Sequence, residues 1–165
     1  GYLAMERREP LFIPCTPLGC FELLREYNIE IEGKNVVIIG KSNIVGLPMS
    51  LIMMKEMATV TVCHIKTKNI EEHTRRADIL IVGVGKAHLV KKDWVKEGAV
   101  VIDIGINVLK DETRKKGYRL TGDVDYENVK SVASYITPVP GGVGPMTVCM
   151  LIKNTLKSYK NLNGY

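Results

Sequence analysis

The sequence predicts an α/β fold built on a doubly wound, mostly parallel sheet, and three observations carry that expectation. Four short runs are rich in β-branched residues: Asn35–Ile39 (NVVII), Thr59–Cys63 (TVTVC), Asp78–Val82 (DILIV) and Val100–Ile104 (VVIDI). Each is apolar with little alternation, the pattern of a strand buried on both faces between helices. Successive runs begin about 20 residues apart, which leaves room for a helix, and such alternation reads as βαβ units.

The segments between the runs carry helix signals. Thr16 is placed to N-cap a helix with Pro17 at its first position, where a missing N–H costs nothing, and Leu18, Phe21 and Leu24 recur at helical spacing. Gly46–Met57 follows the first run and is apolar nearly all round, as a helix packed on a sheet should be. Asn69–Arg76 is charged, with Glu71, Glu72, Arg75 and Arg76 at i, i+4 spacing, and is expected on the surface. A last helix is expected over Pro145–Tyr159, with Val148, Met150, Leu151 and Leu156 along one side. Two stretches break the alternation. Asn107–Leu120 is charged and contains Gly117, the mark of an exposed loop or hairpin. Thr137–Thr147 (TPVPGGVGPMT) holds three prolines and three glycines, which excludes a helix interior or a central strand.

Composition narrows the function classes. A chain of 165 residues with 45% hydrophobic and 25% charged side chains is expected to form one globular domain with a real core. The net charge of +5 suits attraction to nucleotide phosphates. Nucleic acid is not expected as a partner, because the basic residues are scattered and Lys110–Lys116 reads as a solvated loop with no stacking platform beside it. Cys15, Cys20, Cys63 and Cys149 form no C-x-x-C pair, and Cys63 and Cys149 sit in apolar runs. Reduced thiols, no metal site and an intracellular protein are therefore expected. No stretch reaches the ~18 apolar residues of a membrane span, so no membrane partner is expected. The chain opens on glycine with no secretory signal, and a segment upstream of Gly1 is expected.

The most informative local feature is Gly40-Lys41-Ser42-Asn43-Ile44-Val45-Gly46, between the first strand and its helix. A Rossmann-type fold binds a pyrophosphate at this point, with backbone N–H groups and the helix dipole aimed at the anion. Gly40 permits a tight turn, and Ser42 is small enough for close approach while adding a hydroxyl. The pattern departs from G-x-G-x-x-G, since Ser42 replaces the second glycine and the last glycine falls one position late. A plain glycine-rich turn therefore stays open beside dinucleotide binding. An NAD-binding chain usually carries Asp or Glu about 20 residues past the first glycine. Here Cys63-His64-Ile65-Lys66 holds no carboxylate, and Lys41, His64 and Lys66 are placed to neutralise a 2′-phosphate, which favours NADP with NAD still possible. Asp103, Gly105 and Asn107 follow the fourth strand at the carboxyl edge of the sheet. Asp103 reads as a carboxylate orienting a loop ahead of a catalytic group. Thr137–Thr147 reads either as a rigid turn delivering the last helix or as a wall of a pocket beside the nicotinamide. No Tyr-x-x-x-Lys or Ser-His-Asp arrangement can be placed at one site, and Tyr135 and Lys34 read as structural.

Several phrases together resemble one family, the C-terminal domain of bifunctional methylenetetrahydrofolate dehydrogenase/cyclohydrolase. They are PCTPLG (Pro14–Gly19), GKSNIVGLP (Gly40–Pro48), ATVTVCH (Ala58–His64), GAVVIDIGIN (Gly98–Asn107), GDV (Gly122–Val124) and ITPVPGGVGPMT (Ile136–Thr147), in the family's order. The resemblance implies oxidation of 5,10-methylenetetrahydrofolate with NAD(P), usually followed by hydrolysis to 10-formyltetrahydrofolate, in one-carbon metabolism that feeds purine biosynthesis. It implies a cofactor site of Thr16, Gly40, Lys41, Ser42, Ile44, His64, Ile65, Gly83, Ile106 and Thr147, with Pro140, Gly141 and Gly144 facing the tetrahydrofolate substrate. Lys41 stands where many NADP-using members have arginine, and Ile65 where some have serine. The catalytic lysine of such enzymes lies in an N-terminal domain, so no catalytic residue is expected within this chain and none of its activity in isolation. Residues 1–16 would be the linker returning from that domain, 17–147 the NAD(P)-binding domain, and 148–165 a helix packing back toward it. A homodimer and a cytoplasmic enzyme, with the mitochondrion as the other compartment, complete the expectation. The rival is a non-enzymatic NAD(P)-binding regulatory module.

Overall fold

A computed structural model describes residues 10–164. Positions 1–9 of the expected 1–16 linker therefore lie outside the described residues. Five parallel strands form the main sheet: β1 (Asn35–Ile39), β2 (Thr59–Cys63), β3 (Ile79–Val82), β4 (Val100–Asp103) and β7 (Tyr135–Ile136), in the order β2-β1-β3-β4-β7. An antiparallel hairpin of β5 (Asn107–Lys110) and β6 (Tyr118–Thr121) stands apart from it, with Asn107 opposite Thr121. The helices are α1 (Cys15–Glu26), α2 (Gly46–Lys55), α3 (Ile70–Thr74), α4 (Tyr126–Val129) and α5 (Val143–Asn163), with a 3-10 turn at Lys92–Trp94.

The period of two along each strand divides the core between the two faces of the sheet. Val36 and Ile38 join Ile79, Ile81 and Ile102 on one face, beneath Leu24 of α1 and Met49 and Met53 of α2. Val37 and Ile39 join Leu80, Val82 and Val101 on the other, with Val90, Val124 and Val129. Covering both faces of β1, β3 and β4 is what lets these runs be apolar at consecutive positions, broken only by Asn35 at the start of β1 and Asp103 at the end of β4. The expectation of burial on both faces fails for β2, whose residues are half-buried or exposed except Cys63. It forms the edge of the sheet, with a neighbour on one side only.

The helix boundaries shift for identifiable reasons. α1 begins at Cys15 with Pro14 in the N-cap position and no side-chain cap, so Thr16 is not the cap. Pro17 still lies in the first turn, where its missing N–H has no intrahelical partner to lose. α2 stops at Lys55 because Met57 takes a left-handed φ of 61°. α3 is a single turn, and Arg75 reaches across to Asp93, with its Nε donating to the Asp93 carbonyl at 2.8 Å. α5 starts two residues before Pro145, which sits in its first turn, and ends at Gly164, left-handed at φ 73°. It is continuous across position 147. α1 and α5 pack side by side, and Gly19 allows their close approach, since a Cβ there would lie 3.1 Å from Met146 Cβ. Cys149, expected in an apolar environment, faces outward from α5 instead.

Candidate functional site

The order β2-β1-β3 places a crossover between β1 and β3, so the loops leaving their carboxyl ends diverge and open a crevice. Gly40 leaves β1 with φ 118°, and a Cβ there would lie 2.4 Å from the Gly83 carbonyl oxygen. A Cβ at Gly46 would lie 2.0 Å from the Gly40 carbonyl oxygen. Glycine at both positions lets the loop fold flat onto the start of α2 and against the end of β3. Ser42 Oγ accepts from the N–H groups of Val45 and Gly46 at 3.2 and 3.4 Å, which caps α2 and leaves the hydroxyl hydrogen free to donate outward. Among the described residues, the N–H groups of Lys41, Ser42, Asn43 and Ile44 donate to no protein acceptor. Four free donors at the N-terminus of an apolar helix, beside an exposed lysine, form a cradle fit for a pyrophosphate.

The turn after β2 borders the same crevice, because Gly40 N–H donates to the Cys63 carbonyl at 2.9 Å. His64 N–H donates to Thr67 Oγ1 at 2.9 Å, and Lys66 N–H donates to His64 Nδ1 at 3.1 Å. The second bond uses Nδ1 as an acceptor and ties the ring to the backbone of its own turn. Ile65 projects from this turn with 94% of its surface exposed, and Ile44 and Ile106 are 73% and 65% exposed. Three bare isoleucines in the turns that follow β1, β2 and β4 are unusual for side chains that bury readily, and they suit the faces of flat aromatic rings.

A cleft of about 440 Å³ lies further along the edge, lined by Thr16, Asp103–Ile106, Leu120, Pro138–Pro145 and Thr147. Thr147 Oγ1 donates to Thr16 Oγ1 at 3.2 Å and joins the mouths of α5 and α1. Pro140, Gly141 and Gly144 form one wall, and the Val139–Pro140 peptide is cis. The structure thus gathers the residues singled out from the sequence along one edge: Gly40–Ile44, His64, Ile65 and Gly83 at the crevice, and Thr16, Ile106, Thr147, Pro140, Gly141 and Gly144 at the cleft. Tyr135 and Lys34 lie elsewhere. Tyr135 meets Tyr27 edge to face at 5.6 Å, and Lys34 pairs with Glu30 at 2.8 Å.

Two buried carboxylates support this edge. Asp103 Oδ1 accepts from the N–H groups of Gly105 and Asp123 at 2.9 and 3.1 Å, and Oδ2 accepts from Val124 N–H at 2.8 Å. Burial pushes its pKa up to about 6, with those three N–H bonds opposing the rise and the charge of Asp123 adding to it. Held this way, Asp103 ties the Gly105 turn to the Asp123–Val124 segment. Asp123 is wholly buried and was missed from the sequence, where its only signal is its place in the Gly122–Val124 phrase. Among the described residues, no cluster of three or more His, Cys, Asp or Glu side chains is arranged to hold a metal ion.

An open parallel sheet with a donor-lined glycine turn at its crossover defines a Rossmann-type nucleotide-binding domain. Residues 14–163 match the family described as tetrahydrofolate dehydrogenase/cyclohydrolase, NAD(P)-binding domain, and the chain belongs to that family. It is 58% identical, over its whole length, to the bifunctional protein FolD 4, chloroplastic, of Arabidopsis thaliana, and covers 46% of that protein. Its fold matches the bifunctional FolD enzyme of Campylobacter jejuni with a TM-score of 0.85 and 55% identity, over 91% of this chain and 51% of that one. It matches the Trypanosoma brucei FolD, solved with NADP cofactor and an inhibitor, with a TM-score of 0.90 and 45% identity, over 95% of this chain and 54% of that one. The chain spans about half the length of the curated relatives it matches.

Proposed function

We propose that this chain is the NADP-binding half of a methylenetetrahydrofolate dehydrogenase, an enzyme that oxidises 5,10-methylenetetrahydrofolate to the methenyl form and couples it to cyclohydrolase hydrolysis to 10-formyltetrahydrofolate. The observation that carries this reading is the set of four unpartnered N–H groups at Lys41–Ile44, in the turn that leaves the carboxyl end of β1, with a cleft walled by Pro140, Gly141 and Gly144 beyond the end of β4. The amides and the Ser42 hydroxyl bind the pyrophosphate, and Lys41 sits beside them to meet the 2′-phosphate. The absence of any carboxylate at His64–Lys66 removes the residue that would repel that phosphate. Ile65 covers the adenine, while Ile44 and Ile106 flank the nicotinamide and exclude water from it. When bound, the nicotinamide accepts the hydride that leaves the folate.

No lysine lines the cleft among the described residues. In this reading the catalytic lysine comes from an N-terminal domain beyond residues 1–165. The exposed stripe of Val148, Ile152, Leu156 and Tyr159 on α5 supports packing of residues 148–165 against that domain, with 17–147 forming the cofactor-binding unit. Homodimer formation and a cytoplasmic or mitochondrial location in purine-supplying one-carbon metabolism belong to the same proposal. Among the described residues, no helix is long and apolar enough to cross a membrane. A purely regulatory NAD(P)-binding module would leave the Pro140–Gly144 wall with no ligand to face.

Titration calorimetry of the chain with NADP⁺ and NAD⁺ tests the cofactor assignment. NADP⁺ should bind more tightly, and Lys41→Ala should weaken NADP⁺ by about tenfold while leaving NAD⁺ nearly unchanged. Binding of neither cofactor, or equal loss of both, would refute it.

A further inference from the structure

Asp123 joins two loops that flank the crevice but are distant in the chain. Its Oδ2 accepts from the N–H groups of Val84 and Gly85 at 2.6 and 2.9 Å, just after β3. Its Oδ1 accepts from Asn107 Nδ2 at 2.8 Å, at the start of the hairpin. Asp103 holds the backbone N–H of Asp123 and, through the same Oδ1, that of Gly105. Ile106 is therefore clamped on both sides, by Asp103 through Gly105 and by Asp123 through Asn107, and its side chain stands out over the cleft. The other loop abuts the phosphate cradle, since a Cβ on Gly40 would lie 3.7 Å from Val84 Cγ1.

The packing shows how closely the clamp is built. A Cβ on Gly105 would lie 2.2 Å from Asp123 Cγ, and a Cβ on Gly122 would lie 1.9 Å from Asp103 Oδ2. Both glycines admit the carboxylates to their loops. An ionised carboxylate is the only side chain of this size that can accept from three donors without itself presenting a hydrogen.

We propose that Asp123 is a positioning residue for the nicotinamide half of the cofactor, fixing the distance between the Val84–Gly85 loop and the Ile106 wall. The proposal rests on the reading of this crevice as an NADP site. Asp123 touches no reacting atom and acts through Val84, Gly85 and Asn107. The adenosine half, bound at Lys41 and Ile65, lies outside the clamp and should not sense it.

The test compares NADP⁺ with adenosine 2′,5′-bisphosphate, which carries the adenosine half alone, by calorimetry on the full chain. In Asp123→Asn the oxygen can stay on Val84 and Gly85 only if the new amide faces Asn107, whose own amide must then flip away from the Thr121 carbonyl. The Ile106 side therefore loosens, and NADP⁺ affinity should fall by about tenfold while the bisphosphate binds as before. Asn107→Ala loosens the Ile106 side alone at a half-buried position and should weaken NADP⁺ selectively, which keeps the test open should Asp123→Asn fail to fold. Equal weakening of both ligands would mean that Asp123 only stabilises the fold, and unchanged NADP⁺ affinity would mean that the clamp sets nothing; either result overturns the proposal. Wild-type chain that binds the bisphosphate but not NADP⁺ would overturn it too, whereas binding of neither ligand would overturn the cofactor-site reading itself.

Discussion

Asp103 should make the folded chain less stable as the pH rises from acid to neutral. Its carboxylate is only 3% exposed, and burial raises its pKa from 3.8 to about 6 against the pull of three N–H bonds. The unfolded chain leaves the same group near 3.8. Between the two values the folded state holds a proton that the unfolded state has released, so stability must fall as the pH climbs. The favourable contribution is complete below 3.8 and lost above about 6. At about 1.4 kcal/mol per pH unit the whole shift corresponds to about 3 kcal/mol, of which about 2 kcal/mol falls between roughly pH 4.5 and 7.5. Other carboxylates move the opposite way: Lys96 beside Asp78, Asn128 beside Asp125 and Thr113 beside Asp111 hold each below its usual range. Their contributions are lost at still lower pH, and a difference measurement removes them. Urea unfolding of wild type and Asp103→Asn, followed by circular dichroism across that window, gives the stability difference at each pH. The wild type should lose about 2 kcal/mol relative to the variant on going from acid to neutral. A difference flat to within about 0.5 kcal/mol would refute the reasoning, since it would mean that the folded carboxylate titrates as it does in water.

Two further substitutions probe the scaffold and the cradle. Gly46→Ala places a Cβ 2.0 Å from a backbone oxygen that no side-chain rotation can relieve; it should cost about 1–3 kcal/mol in thermal unfolding and abolish NADP⁺ binding by calorimetry. Leu80→Ala empties a wholly buried position at the centre of the sheet; chemical denaturation should show a loss of about 3 kcal/mol with the cofactor affinity of the folded fraction unchanged.

The alternation of strand and helix was legible in the sequence because β1, β2, β3 and β4 each put a dense β-branched run in a short window. The hairpin was legible as one of two readings of Asn107–Leu120, through its charge and Gly117. Local composition speaks for a strand when the strand is long enough to show a pattern, and β7, at two residues, is not. Its existence depends on Tyr135 and Ile136 lying parallel to Val100 and Val101, a pairing across more than thirty residues. The same limit hid the exposure of β2, since an edge strand and a central one can share a sequence, and only the order of the sheet separates them.

The site divides in the same way. The sequence by itself determined the glycine turn, the missing carboxylate after β2 and the proline-glycine wall, because each is a local requirement of backbone shape or charge written in adjacent residues. Only the tertiary structure decided that Ser42 spends its oxygen on capping α2, that His64 uses Nδ1 to hold Lys66, and that Asp123 ties Val84 and Gly85 to Asn107. The longest of these ties spans 39 positions, and a carboxylate in a sequence carries no mark of which distant N–H groups it will meet. Burial and partner are settled when the loops converge at the edge of the sheet, and the chemistry of Asp103 and Asp123 follows from that convergence.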